Sequence, residues 1–187
     1  MHFQRQQSTG TDGGGAVISL GTLRNALFIG NQAARWGGGL RANGGVVENC
    51  TVVGNASGAH SGGVYNRGAT IYNTIAYYNY APADSNYKRE VGGSATNCCI
   101  TPLPAQGAGH IADNPLFILD GAGYGTDHIA GDYQLRLRSP CVNAGLNRDW
   151  MDDARDLSGN WRRFNNSNVD IGAYELTLPL GTRFLLY

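Results

Sequence analysis

The chain has 187 residues, and its fourteen basic and fourteen acidic side chains cancel, so no net field would gather nucleic acid or an anionic membrane surface. Hydrophobic residues make up 42%, enough for a core, whereas 28 glycines and only 15% charged residues argue against helices and for a turn-dense β protein. No apolar run approaches the ~20 residues of a bilayer span, so membrane insertion is not expected, and the opening MHFQRQQSTG lacks the apolar middle of a secretory signal.

Residues 1–12 read as polar and irregular, and the first recognisable turn begins at Gly13. From there a fixed interval of 24 residues takes over. It carries Asn25, Asn49, Asn73 and Asn97, then a second series of Asn31, Asn55 and Asn79 six residues further on. Gly14, Gly38 and Gly62 keep the same interval, each followed by a second glycine. Within the interval, alternation predicts strands: the columns Ala26/Cys50/Thr74/Cys98 and Phe28/Val52/Ala76/Ile100 should face one way and Leu27/Thr51/Ile75/Cys99 the other. Propeller blades need ~40 residues, and the LxxLxL pattern of leucine-rich horseshoes is missing. The expectation is therefore an all-β fold, a parallel β-helix of about four coils over 13–100.

In such a coil the asparagines are structural, because stacked amides can donate and accept along a column, and the glycines serve sharp corners. No cap is visible before Gly13, which reads as the tail end of a longer helix or a surface for a second copy of the chain. APADSNYKREV, over 81–91, breaks the pattern while preserving the count to Asn97, so it replaces part of one coil. From 101 to 131 Gly, Pro and Asp accumulate into long loops around a short PLFIL strand. The segment 132–175, with YQLRL and VDIGAYE, should finish the stack within a loop-rich closing region over 101–176, and an apolar tail occupies 177–187.

The GGG then NCTVVGN pattern resembles the repeats of right-handed parallel β-helix, or pectin-lyase-like, proteins. DNPLF at 113–117, DYQLRLRSPCVNAG at 132–145, DLSGNWR at 156–162 and VDIGAYE at 169–175 are similar to the C-terminal region of exported bacterial β-helix proteins of the choice-of-anchor Q type. That resemblance implies an extracellular or cell-surface setting in bacteria and no single reaction. Relatives of the fold include polysaccharide-cleaving enzymes, adhesins and passenger domains, so function has to be argued from sites.

Aligned turns place Trp36, His60 and Asp84 in one column and Arg41, Tyr65 and Arg89 in another. Aromatic and guanidinium groups in rows can stack on sugar rings and pair with uronate carboxylates, so Trp36, Arg41, His60, Tyr65 and Arg89 are the candidate carbohydrate-binding residues. The leading reading is binding without catalysis; a lyase or hydrolase fragment and a self-associating stalk are the alternatives. A calcium-dependent lyase would need carboxylates on the coils, where Glu48 stands almost alone. The acidic residues gather instead at Asp149, Asp152, Asp153, Asp156, Asp170 and Glu175, among Arg155, Arg162 and Arg163, which favours a salt-bridged terminal loop over a hydrolase site. Asp156, Ser158 and Asn160 have only part of a calcium loop's spacing. His110, Asp113, Asp127 and His128 could meet in the loops, and Trp150 and Trp161 either pack or form a platform. No cofactor is expected, since dinucleotide, phosphate-loop and zinc motifs are missing. Of Cys50, Cys98, Cys99 and Cys141, only Cys98 or Cys99 with Cys141 is a pairing worth testing, and free, partly buried thiols are the simpler expectation.

Overall fold

The computed structural model describes residues 1–4, 7–8, 12–90, 92–163 and 167–177, so all but the first residue of the 177–187 tail lies outside the described residues. The fold is all-β, a parallel β-helix of about four turns with ~24 residues per turn. Each turn visits three sheets in order. Sheet I stacks Ala16–Ile18, Leu40–Ala42, Val64–Asn66 and Tyr87–Arg89; sheet II stacks Thr22–Arg24, Val46–Glu48, Thr70–Tyr72 and Ser94–Thr96. Sheet III stacks His2–Gln4, Leu27–Ile29, Thr51–Val53, Ile75–Tyr77 and Cys99–Ile100. A narrow fourth ribbon pairs Gln7–Ser8, Gln32–Ala33 and Ala56–Ser57.

The described parts of the segment before Gly13 are thus more regular than their composition suggests. His2–Gln4 continues sheet III, and Phe3 lies flat on Phe28 with ring centroids 4.6 Å apart. It carries none of the glycine and asparagine markers, which belong to corners and not to strands.

Strands of three residues leave little choice of direction. Phe28, Leu40, Val47, Val52, Ile71 and Ile100, with Ala26, Cys50 and Cys98, fill the interior of the coil. Gly38 shows how tight the corner is: a Cβ there would sit 2.1 Å from the carbonyl oxygen of Ala56, so the column tolerates only glycine.

The second asparagine series is a true ladder, fully formed inside the coil. Asn31 Nδ2 donates to Asn55 Oδ1 at 2.9 Å, Asn55 Nδ2 to Asn79 Oδ1 at 2.9 Å, and Asn79 Nδ2 to Asn86 Oδ1 at 3.2 Å. Asn86 is a rung that the 24-residue count does not reach. It continues the backbone column of Gly63 and turns its amide under Asn79, because the replaced segment brings the chain back one residue early.

The first series works differently. Asn25, Asn49, Asn73 and Asn97 all have left-handed backbone, with φ of 50°, 50°, 47° and 48°, where asparagine is the best tolerated residue after glycine. Only Asn73 donates along the column, to Asn49 at 3.2 Å. Each of the four instead gives an Nδ2 hydrogen to a carbonyl of the C-terminal region: Arg155 at 2.8 Å, Asp170 at 3.3 Å, Leu146 at 2.9 Å and Ala144 at 2.9 Å.

That region does not finish the stack. After Ile111 bridges Cys99, the chain leaves the coils, makes the antiparallel pair Phe117–Leu119 with Asp132–Leu135, and runs as a strap across the outer face of sheet III. The cause lies in the outward column. Leu27, Ile29, Val53, Ile75 and Cys99 are apolar and bury against Phe117, Tyr133, Leu135, Cys141 and Ile171 as a second core. A further coil stacked on the end would have left that face wet, at ~25 cal/mol per Å².

Candidate binding face

Sheet I presents one outward residue per strand, and the register aligns Val17, Arg41, Tyr65 and Lys88. Just before it, Asp12, Trp36, His60 and Ala83 are bridged in parallel, followed by a corner of left-handed residues, Gly13, Gly37, Ser61 and Asp84. Two positions therefore depart from the sequence reading. Lys88, not Arg89, stands beside Tyr65, and Ala83, not Asp84, stands beside His60. The interval from Tyr65 to Lys88, like that from His60 to Ala83, is one residue shorter than a full turn, and the 24-residue register returns at Ser94. Arg89 is exposed and turns away, its Nε donating to the carbonyl of Gly93 at 2.5 Å.

Trp36, Arg41 and Tyr65 do meet. The indole lies parallel to Tyr65, with centroids 5.3 Å apart and an 11° interplanar angle. The Arg41 guanidinium sits 5.2 Å from the Trp36 ring and 5.8 Å from the Tyr65 ring. It donates from Nε to Asn43 Oδ1 at 2.8 Å and from Nη1 to Asp12. Also over the indole, 3.6 Å from its centroid, lies the guanidinium of Arg35, whose side chain is 48% exposed and whose Nε is 4.0 Å from Asp12. His60 joins at the margin: its Nδ1 is 3.0 Å from Asp84 Oδ2, which also holds Lys88 at 3.1 Å.

Charge on this face is paired throughout. Asp12 serves Arg35 and Arg41, Asp84 serves His60 and Lys88, and Glu90 accepts from the Tyr65 hydroxyl and pairs with Arg67 at 3.4 Å. Burial, reinforced by the bond to Glu90, pushes the Tyr65 phenol up to about 12. Burial also works to raise Asp84, but the hydrogen bonds from Lys88 and His60 outweigh it and hold the carboxyl low. The sequence reading missed Arg35, Asp12, Lys88 and Glu90; the period-two order of YKRE after Asn86 was the available signal for Lys88.

The acidic cluster near the end of the strap is a clasp. Arg162 is 1% exposed and donates to Asn25 Oδ1 from Nε at 3.0 Å and Nη2 at 2.7 Å, to the carbonyls of Gly172 and Ala173, and to Glu175 Oε1 at 2.7 Å. Asp156 accepts from the backbone N–H groups of Ser158, Asn160 and Glu175; Asp170 accepts from those of Asn143 and Leu176. Burial pushes the Glu175 carboxyl up to about 8, with Arg162 pulling down and the Asp170 charge adding to the rise. These oxygens are spent on capping turns, including the Asp156 turn that had partial calcium-loop spacing. A cavity of about 590 Å³ lies beside the clasp, with Trp161 at its rim under Arg155.

The remaining candidates are held apart by their own contacts. His128 is buried between the Gly123 carbonyl and the Tyr133 hydroxyl, whereas His110 meets the Cys98 N–H and the Gln106 carbonyl. Among the described residues no three His, Cys, Asp or Glu gather in a way that could hold a metal ion. Trp150 stacks under Arg24, which together with Arg148 pairs with the fully buried Glu48 at 2.7 and 2.5 Å. No family model matches the chain, and no curated protein matches it.

Proposed function

We propose that this chain is a β-helix module of the exported bacterial type that binds carbohydrate without catalysis on the Trp36 face. The observation that carries the reading is the lidded indole. The ring is stacked on Tyr65, and the cation nearest its centroid is a half-exposed arginine in a long, weak ion pair. A sugar ring can take the place of Arg35 there, its C–H groups against the indole and its hydroxyls within reach of Asp12, Arg41, His60 and Asp84. Because each cation already has a carboxylate, a neutral sugar fits this face better than a uronate, which would have to displace Asp12 or Asp84. The sheet III face is closed by the strap, whereas on the sheet I side Arg35 and His60 reach solvent above the buried Arg41 and Tyr65.

An enzymatic reading has less support. Hydrolysis needs two carboxyl groups converging on an open groove, and the paired Asp170 and Glu175 are bound by backbone donors and Arg162. A glycan array decides between these. Wild-type protein should bind neutral glycans, Trp36→Ala should abolish the signal, and Arg35→Ala should strengthen it by uncovering the ring. No hits across a broad array, or hits unaffected by Trp36→Ala, would sink the reading.

A further inference from the structure

We propose that Cys99 and Cys141 form an intramolecular disulfide that bolts the strap to the last coil. All four cysteines are buried, but they sort into two compartments. Cys50 and Cys98 point into the coil, in one column with Thr74 between them. Two strand spacings, ~9.6 Å, separate them, beyond the ~7 Å that a disulfide spans between Cα atoms. Cys98 spends its thiol on the carbonyl of Thr96 at 3.3 Å. Cys99, the next residue, points to the opposite side and lies in the second core with Cys141, both with no exposed surface.

Both partners are held from several directions. Cys99 donates its backbone N–H to Thr74 at 3.0 Å and bridges Ile111; Cys141 donates its N–H to Ser139 Oγ at 3.1 Å and accepts from Ile171 at 2.9 Å. The Cys99 thiol donates to the carbonyl of Asp113 at 3.4 Å, and the neighbouring Cys141 thiol, together with burial, raises its pKa. An S–S bond of ~2.05 Å forms there once the two side chains, buried in the same cluster, turn toward each other.

Complete burial also sets when the bond forms. One thiolate attacks the sulfur of an external small-molecule disulfide and expels a thiolate; the second attacks the mixed disulfide and expels the other. Two thiol protons leave, and the two electrons reduce the external disulfide to two thiols. No such oxidant reaches the pair once the strap is seated, so oxidation belongs to the interval before docking, and the finished bond is shielded from reductants. This inference is independent of the saccharide reading.

The test is oxidative refolding of the full chain in mixed oxidised and reduced glutathione, followed by denaturation, alkylation and peptide mapping. The expected product is lighter by two hydrogens, carries a Cys99–Cys141 cross-linked peptide, and has Cys50 and Cys98 alkylated. Cys98→Ser should give the same cross-link. The oxidised form should melt about 5–10 °C above the reduced one, since a loop of some forty residues is closed. Four alkylated cysteines after refolding, or a cross-link through Cys50 or Cys98, would overturn the assignment. Native reduced protein that oxidises as fast as the refolding chain would overturn the shielding.

Discussion

The coils and the strap solve the same problem by opposite means. In the coils a residue meets its own equivalent in the next turn, so Asn55 bonds Asn79 and Val64 faces Leu40 and Tyr87. In the strap almost every contact is used once: Arg162 alone joins Asn25, Gly172, Ala173 and Glu175. Repetition distributes stability over many similar bonds, whereas the strap concentrates it in a few buried ones. The corner asparagines join the two, with their backbone serving the coil and their amides serving the strap.

The sharpest way to break this comparison is Arg162→Ala. Removing the buried guanidinium strands Glu175 and the Asn25 amide, and we expect a loss of about 3–5 kcal/mol in urea denaturation. Hydrogen exchange should show the strap opening while sheets I and II stay protected. Simultaneous loss of both would show that coil and strap form one cooperative unit.

Next comes a pair of identical substitutions in the two asparagine series. Asn55→Gly leaves buried partners on both sides unsatisfied and should cost about 2–3 kcal/mol. Asn49→Gly keeps a residue suited to φ of 50° and loses chiefly the bonds to Asp170 and Asn73, so about 1 kcal/mol is expected. Equal costs would remove the distinction between ladder and corner.

Between pH 7 and 8, acidity probes the clasp. The Glu175 carboxyl lies at about 8 in the fold against an ordinary 4.5, so the folded chain holds this proton more tightly than the unfolded chain. Its contribution is complete below pH 4.5 and is lost as pH rises through 8, by about 1 kcal/mol between pH 7 and 8. Glu175→Gln should flatten that part of the stability profile. The smallest effect is expected on the open face, where Lys88→Ala removes a half-exposed ion pair with Asp84 and should change stability by about 0.5 kcal/mol or less.

The same contrast explains what was legible in the chain. A period of 24 residues announces itself because each position is written several times, and so the coil, its inward columns and the Trp36, Arg41 and Tyr65 grouping could be read directly. Arg89 and Asp84 were misplaced by one residue because the count to Asn97 conceals a loss before Asn86 that is recovered by Ser94. The strap was not legible as a strap. Its partners are matched by shape and by single hydrogen bonds across separations as long as that from Asn25 to Arg162, and no periodicity records them. Arg35, Asp12 and Glu90 escaped for a related reason: pairing between charges in different turns depends on register that only the folded coil supplies.

One row of hydrogen bonds sets a length. The strap answers the last corner with Ala144, the one before it with Leu146, the next with Asp170 and the first with Arg155 and Arg162. It is a ruler laid along the stack, with one mark for each turn. Duplicating a coil, a change that repeat proteins ordinarily absorb, would here add a corner with no mark opposite it and pull Arg162 one strand spacing away from Asn25. Between Asn25 and Asn97 the number of turns is therefore specified not by the repeats, which could take an insertion, but by the reach of the unrepeated segment beside them.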